Sequence, residues 1–312
     1  MDLTGRRFLV TGAGTGIGRS VATRLAELGA DVALHFSHSS AGAESALIDI
    51  LGMGRNGVAL QADLGDANAA RALPHRAADA LGGLDGLVNN AGITMNRALM
   101  NTTVEQFDTL FNVNVRGMFF CTQGAVEIMQ ESGFGTVVNL SSVHAFGGLV
   151  EHSVYAATKA AIVGFTRTTS IELIQKGIRM NCIASGWVLV ENQRKALGSD
   201  FDDRDAGLGL PVGFIGTGDD MGNLVAFLSV DLSRYIVGQT ISVMVVRQHC
   251  SLRPATSESP LRSSSAKITC LVCNSFLGAR PSAGKWISRR FSSKYSHNIL
   301  GRSTSQFLDR LT

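Results

Sequence analysis

Arg7-Phe8-Leu9-Val10-Thr11-Gly12-Ala13-Gly14-Thr15-Gly16-Ile17-Gly18-Arg19 is the stretch from which the fold can be read. Its first four residues form a short apolar run entering a glycine-rich turn, the pattern of a buried strand. From Gly18 the apolar residues Val21, Leu25 and Leu28 recur at helical spacing, and Gly29 follows as a C-cap signal. The stretch therefore reads strand, glycine loop, helix. Small residues in such a loop let the backbone approach a pyrophosphate, and the helix N-terminus offers amides and the positive end of its dipole. The glycines follow Gly12-x-x-x-Gly16-x-Gly18, not the commoner G-x-G-x-x-G, because Ile17 interrupts that spacing.

The same alternation continues along the chain. Asp31–Phe36, Gly57–Gln61, Gly86–Val88, Gly135–Leu140, Arg179–Ile183 and Gln239–Val246 are short and apolar, separated by longer amphipathic stretches. Crossover units of this kind predict an α/β fold: a single Rossmann-type, doubly wound parallel sheet with helices on both faces, spanning residues 1–246. Ligands of such sheets bind at the carboxyl ends of the strands. The chain has 312 residues, 45% hydrophobic and 17% charged, which suits one large α/β domain with a substantial core. No apolar run reaches the ~18 residues of a membrane span, and the N-terminus lacks a secretory stretch, so a cytoplasmic location is expected.

At the end of the second strand a carboxylate would grip the ribose hydroxyls of NAD. Here His35-Phe36-Ser37-His38-Ser39-Ser40 contains no acid, and the next is Glu44. A 2′-phosphate is not repelled there, and Ser37, His38, Ser39 and Arg19 offer hydrogen bonds. NADP is favoured, with NAD as the alternative.

Tyr155 and Lys159 stand four apart in Ser153-Val154-Tyr155-Ala156-Ala157-Thr158-Lys159, and Ser142 lies upstream. On a helix, positions i and i+4 share a face. The Lys159 ammonium is then expected beside the Tyr155 phenol, lowering a pKa that starts near ~10. His144, Phe146, Glu151 and His152 fall between Ser142 and Tyr155 and border the expected substrate site without an assigned role.

Thr11–Gly18, Asn89-Asn90-Ala91-Gly92, Asn114, Ser142 and Tyr155-x-x-x-Lys159 together resemble the short-chain dehydrogenase/reductase family, over about residues 3–243. Within it the chain is most similar to 3-oxoacyl carrier-protein reductases and to sugar and polyol dehydrogenases. The resemblance implies hydride transfer between nicotinamide and a carbonyl or secondary alcohol. It implies Tyr155 as proton donor or acceptor, Lys159 as the group that tunes it and holds the nicotinamide ribose, and Ser142 as a hydrogen-bond partner of the substrate oxygen. Asn114 would position a water leading to Lys159. Thr11, Gly12, Gly16, Ile17, Gly18, Ser37, Asp63, Leu64, Asn90, Ala91, Gly92 and Gly186 would line the cofactor site, with Asp63 and Leu64 near the adenine. No metal is implied. A small-molecule substrate and a homo-oligomer are expected, with no membrane partner and none among nucleic acids.

The chain departs from the family's pattern in two places. Ser185 stands where the family has proline before Gly186, and Val190 where it has a threonine touching the carboxamide. A lost hydroxyl there removes a hydrogen bond of about 1 kcal/mol. After Val243 the expected Val-Asp-Gly-Gly is replaced by Met244-Val245-Val246-Arg247. Residues 247–312 then hold eleven Lys or Arg against Glu258 and Asp309, a net of +9 that leaves −6 for residues 1–246 out of an overall +3. With fourteen serines and no periodicity, that segment is expected to be a disordered basic tail or the product of a changed frame or splice. Cys270 and Cys273 have metal-ligand spacing but lack a second pair. A catalytically impaired cofactor-binding protein, and nucleic-acid binding through the tail, are the readings of other classes.

Overall fold

The computed structural model describes residues 1–244 apart from positions 199, 209 and 211. The readings made for residues 247–312, including Cys270 and Cys273, lie outside the described residues. The central sheet comprises β1 (Arg7–Val10), β2 (Asp31–Phe36), β3 (Gly57–Gln61), β4 (Gly86–Asn89), β5 (Gly135–Ser142), β6 (Ile178–Ser185) and β9 (Thr240–Val243). Its order is β3-β2-β1-β4-β5-β6-β9, and every pairing is parallel.

Because side chains alternate across a strand, Phe8 and Val10 face one side of the sheet and Leu9 the other. The first side is covered by α1 (Gly16–Glu27), α2 (Ser40–Gly52) and α9 (Gly218–Ser229), through Val21, Leu25, Ile50, Met221 and Val225. The second is covered by α3 (Ala67–Leu81), α5 (Met118–Ser132) and α6 (Ser153–Ile174), through Leu73, Ala77, Cys121, Met129 and Leu173. Doubly wound architecture is thus present, as the alternating pattern predicts. Among the described residues no helix is long and apolar enough to cross a membrane.

Three strands run further than their apolar patterns suggest, β4 by Asn89 alone. β5 continues through Ser141 and Ser142, and β6 through Ala184 and Ser185, because the two remain paired to Ser142↔Ser185. Ladder hydrogen bonds carry the polar residues that the hydrophobic pattern left out. The last strand ends at Val243, and residues 245 and 246 lie outside the described range. Two small features have no counterpart in the apolar pattern. One is the excursion after β6, where β7 (Val188–Leu189) pairs with β8 (Gly216–Thr217) around α7 (Glu191–Leu197) and α8 (Asp203–Leu208). The other is a π-helical turn at Asn112–Gly117, joining α4 (Val104–Phe111) to α5.

A buried polar ladder runs through the middle of this frame. Asn89 Nδ2 donates to Thr122 Oγ1 and Asn139 Oδ1, each at 2.9 Å, and Asn139 Nδ2 donates to Thr166 Oγ1 at 2.9 Å. It links β4, β5, α5 and α6. Among the described residues no buried side-chain nitrogen or oxygen lacks a partner, so this ladder adds register without the cost of orphaned polar groups.

Candidate active site

The strand order reverses at β1, which lies between β2 and β4. The loops leaving β1 and β4 therefore splay apart and leave a crevice at their carboxyl ends. Thr11 Oγ1 accepts the amides of Asn90 and Ala91, both at 3.0 Å, and Asn90 Nδ2 donates to the carbonyls of Thr11 (2.9 Å) and Gly12 (3.2 Å). The side chains of Thr11 and Asn90 are thus spent on tying the two loops together. What they present outward is backbone.

Gly12 and Gly16 hold φ of +67° and +62°, a region that side chains disfavour. A Cβ on Gly18 would lie 2.2 Å from the Gly12 carbonyl oxygen and 2.4 Å from Asn90 Nδ2. Neither neighbour is free to move. Gly18→Ala is expected to cost about 1–3 kcal/mol in denaturant unfolding, the range for overpacking a tight site. Gly52→Ala, with open space at its Cβ, serves as the control and is expected to be neutral or slightly stabilising. The first turn of α1 carries no acid, so its amides meet no competing negative charge. The cradle suits a dinucleotide's pyrophosphate in shape and in polarity.

Ser142 closes β5, and Tyr155 and Lys159 lie in the first two turns of α6. Ser142 Oγ accepts the amide of His144 at 3.2 Å and also faces the Tyr155 hydroxyl. Lys159 is buried, and its Nζ donates to the Leu140 carbonyl at 3.0 Å, while lying 5.6 Å from the Tyr155 ring centroid. The expectation that the ammonium lowers the phenol's pKa is corrected here. Burial pushes the Tyr155 pKa up, and only the Ser142 hydrogen bond opposes it. Burial also pulls Lys159 from 10.5 down to about 8. The physical reason is that Lys159 reaches past the phenol to the end of β5, and both groups are desolvated together.

Asn114 sits within the π-helical turn, buried, with Oδ1 accepting the Ile93 amide at 2.8 Å. Its Nδ2 donates to the Ile93 carbonyl (2.9 Å) and to Thr158 Oγ1 (3.1 Å). The side chain is therefore a tie between the β4 exit and α6. A methyl placed on Gly92 would lie 3.2 Å from Asn114 Oδ1 and 3.6 Å from Lys159 Nζ, so Gly92, Asn114 and Lys159 converge on one small space.

The remaining predicted residues separate into two groups. Ser37 and Ser39 are half-buried at the exit of β2, and Ile17 packs from α1 against the core. Asp63 is exposed, with Oδ1 accepting the Gly65 amide at 2.8 Å, whereas Leu64 is buried among apolar side chains. The amide of Gly186 donates to the Val243 carbonyl at 2.8 Å, which ties it to the last strand. Arg19, offered as a phosphate ligand, instead donates to Ser45 Oγ (3.0 Å) and Asp49 (3.2 Å), with Glu191 at 3.9 Å. Val190 lies against the glycine loop, its Cγ2 3.6 Å from where a Gly16 side chain would begin.

Sequence reasoning placed His144 and His152 at the border of the substrate site without a role, and missed Ser141 and His35. His144 and His152 place their rings 6.1 and 6.2 Å from the Tyr155 ring. Ser141 Oγ donates to the Lys159 carbonyl at 2.8 Å, fixing α6 on β5. His35 supports the glycine loop from beneath. Of the two missed residues, His35 had a visible signal, a histidine inside an otherwise apolar strand.

Known proteins resemble this chain over most of its length. The family described as Enoyl-(Acyl carrier protein) reductase matches residues 12–244. A 3-oxoacyl-[acyl-carrier-protein] reductase FabG of Staphylococcus aureus is 38% identical over 235 residues, covering 75% of this chain and 95% of that protein. An L-rhamnose 1-dehydrogenase (NAD(P)(+)) of a Sphingomonas species is 33% identical over 242 residues, covering 77% of this chain and 95% of that one. The crystal structure of a short-chain dehydrogenase from Burkholderia cenocepacia in complex with NADP superposes with a TM-score of 0.70 at 35% identity, covering 78% of this chain and 98% of that one. With a glycine cradle at the strand switch point and Ser142, Tyr155 and Lys159 converging at its mouth, the chain belongs to the short-chain dehydrogenase/reductase family, whose enzymes act on CH–OH or carbonyl groups.

Proposed function

We propose that the chain is an NADP(H)-linked reductase of a small-molecule carbonyl, most like the 3-oxoacyl carrier-protein reductases. The observation that carries this reading is the convergence of Ser142, Tyr155 and Lys159 beside the glycine loop. Bound nicotinamide supplies or takes the hydride; the protein supplies geometry and protons. Tyr155, holding its proton at neutral pH because burial disfavours the phenolate, donates it to the substrate oxygen. Ser142 shares that oxygen and stabilises the charge developing on it. Lys159 stands behind as the next proton source, and Gly92 and Asn114 shape the space through which it is reached. The backbone of residues 11–18 and 90–92 holds the pyrophosphate and nicotinamide halves.

NADP is preferred because the β2 exit offers Ser37 and His38 and no carboxylate, and because the superposed Burkholderia protein binds NADP at 35% identity. A sugar or polyol substrate, with NAD as cofactor, is the second reading. It is favoured by the imidazoles of His144 and His152 around Tyr155, which suit hydroxyl groups better than an acyl chain, and by the rhamnose dehydrogenase relative. Exposed Val104, Phe107, Phe119 and Ile171 on α4, α5 and α6 support an assembly of identical chains.

Thermal unfolding of the full chain with NADPH, NADH or neither tests the cofactor half. A ligand at a hundred times its Kd adds roughly 2.7 kcal/mol of stability. The expected result is a larger upward shift with NADPH. An equal or larger shift with NADH would reject the preference, and no shift with either would reject a working pocket.

A further inference from the structure

His35 is a buried residue of β2, paired with Leu60 of β3, on the sheet face covered by α3. It holds two consecutive amides of the glycine loop. Its main-chain carbonyl accepts the Ala13 amide at 2.8 Å, and its ring Nδ1 accepts the Gly12 amide at 3.1 Å. On the other side of the ring Nε2 lies 3.1 Å from the Ala62 carbonyl.

These partners fix the tautomer. An amide donates only to an unprotonated nitrogen, and a carbonyl accepts only from N–H, so the ring is neutral with its proton on Nε2. A gained proton would land on Nδ1 and face the Gly12 N–H, donor against donor. Gly12 is the residue whose φ of +67° turns the chain into the cradle, so the loop's geometry is coupled to the charge of this imidazole.

Burial resists that proton and holds the His35 pKa below the usual histidine range; the nearby Arg76 guanidinium adds to the effect, while the hydrogen bond to Ala62 opposes it. The charged groups around the ring are few. Phe8–Val10 of β1 and Gly57–Leu60 of β3 contribute none. On α3, Arg76 donates to the Gln61 carbonyl, and Arg71 and His75 are engaged with Glu127. Asp63, past β3, is turned to Gly65.

We propose that His35 is a positioning residue for cofactor binding: its neutral ring anchors Gly12 in the conformation that receives the pyrophosphate, and acid releases that anchor. The inference rests on the reading of residues 11–18 as the cofactor loop.

The test compares the native full chain with His35→Asn and His35→Leu. An asparagine Oδ1 occupies the place of Nδ1 and accepts from Gly12 but does not titrate. Leucine leaves the part-buried Gly12 amide without that acceptor. Amide hydrogen exchange at Gly12, corrected for intrinsic rates, and the Kd of NADPH and NADH are followed between neutral pH and pH 5. In the native chain Gly12 is expected to lose protection, and both cofactors to weaken, as pH falls below the histidine range. Asn is expected to keep protection and to flatten that part of the pH profile. Leu is expected to weaken binding on the order of tenfold at neutral pH. The inference is overturned if the pH dependence of Gly12 exchange is the same in the native and Asn chains, or if Leu binds both cofactors as tightly as the native chain. A native chain that binds neither cofactor would reject the function proposed above, and the Gly12 exchange would still decide whether His35 anchors the loop.

Discussion

A Tyr155→Phe chain is expected to reduce carbonyl substrates roughly a hundredfold to ten-thousandfold more slowly than the native chain, with NADPH affinity unchanged. The substitution removes one oxygen and keeps the ring, so its packing in the first turn of α6 survives and stability should change little. What disappears is the proton that Tyr155 retains at neutral pH through burial. Measured by steady-state kinetics, the loss should fall equally on kcat and kcat/KM, the pattern of an interaction made only in the transition state. The alkaline limb of native kcat/KM is expected near pH 8, where Lys159 gives up its proton, and not above 10. Retained turnover would move the proton donor elsewhere, with the imidazoles of His144 and His152, 6.1 and 6.2 Å from the ring, as candidates.

Lys159→Met is expected to do two things at once: abolish turnover and stabilise the fold. A buried ammonium whose pKa falls from 10.5 to about 8 is a charge the folded state would rather not carry. Between those values the unfolded chain binds more protons than the folded one, so native stability should rise with pH across that window. Below about pH 8 both states are charged, and the fold bears the full penalty. That shift corresponds to roughly 3 kcal/mol, and losing the hydrogen bond to Leu140 returns about 1 kcal/mol of it. A net gain of about 1–2 kcal/mol raises Tm by several degrees for a domain of this size. Calorimetry at pH 7 checks it, and the rise of stability between pH 8 and 10.5 should vanish in the variant. A lowered Tm would mean that the ammonium stabilises the fold.

The legible parts of this chain were those in which each residue acts through its own local pattern. Alternating apolar runs disclosed the sheet, and Gly12, Gly16 and Gly18 disclosed the loop, because period and conformational freedom are properties of the chain itself. Ser142, Tyr155 and Lys159 were visible through their spacing. Their electrostatics were not, since the depth at which α6 lies against β5 decides whether Lys159 helps the phenol ionise or shares its burial. Asn114 carries a similar lesson. Its identity pointed to the site, yet the π-helical turn that aims its amide at Ile93 and Thr158 leaves no mark in composition. His35 drew no role in the sequence because its partners, Gly12 and Ala62, are distant along the chain.

The reversal of strand order at β1 has a consequence for how this protein is altered by design or by drift. In the function proposed above, the segments that would meet the adenosine half of the cofactor leave β1, β2 and β3, on one side of that reversal. Ser142, Tyr155, Lys159 and the excursion around α7 and α8 belong to the other. The two sides join through the β1–β4 pairing, the tie of Thr11 to Asn90 and Ala91, and the contact of Val190 with the glycine loop. Exchanging Ser37 and His38 for an acid should therefore redirect the choice of dinucleotide without disturbing the proton machinery. Val190 and Glu191, which begin the excursion, reach back to Gly16 and Arg19, so rebuilding it is expected to disturb the dinucleotide side as well, and the β2 exit is the more separable handle.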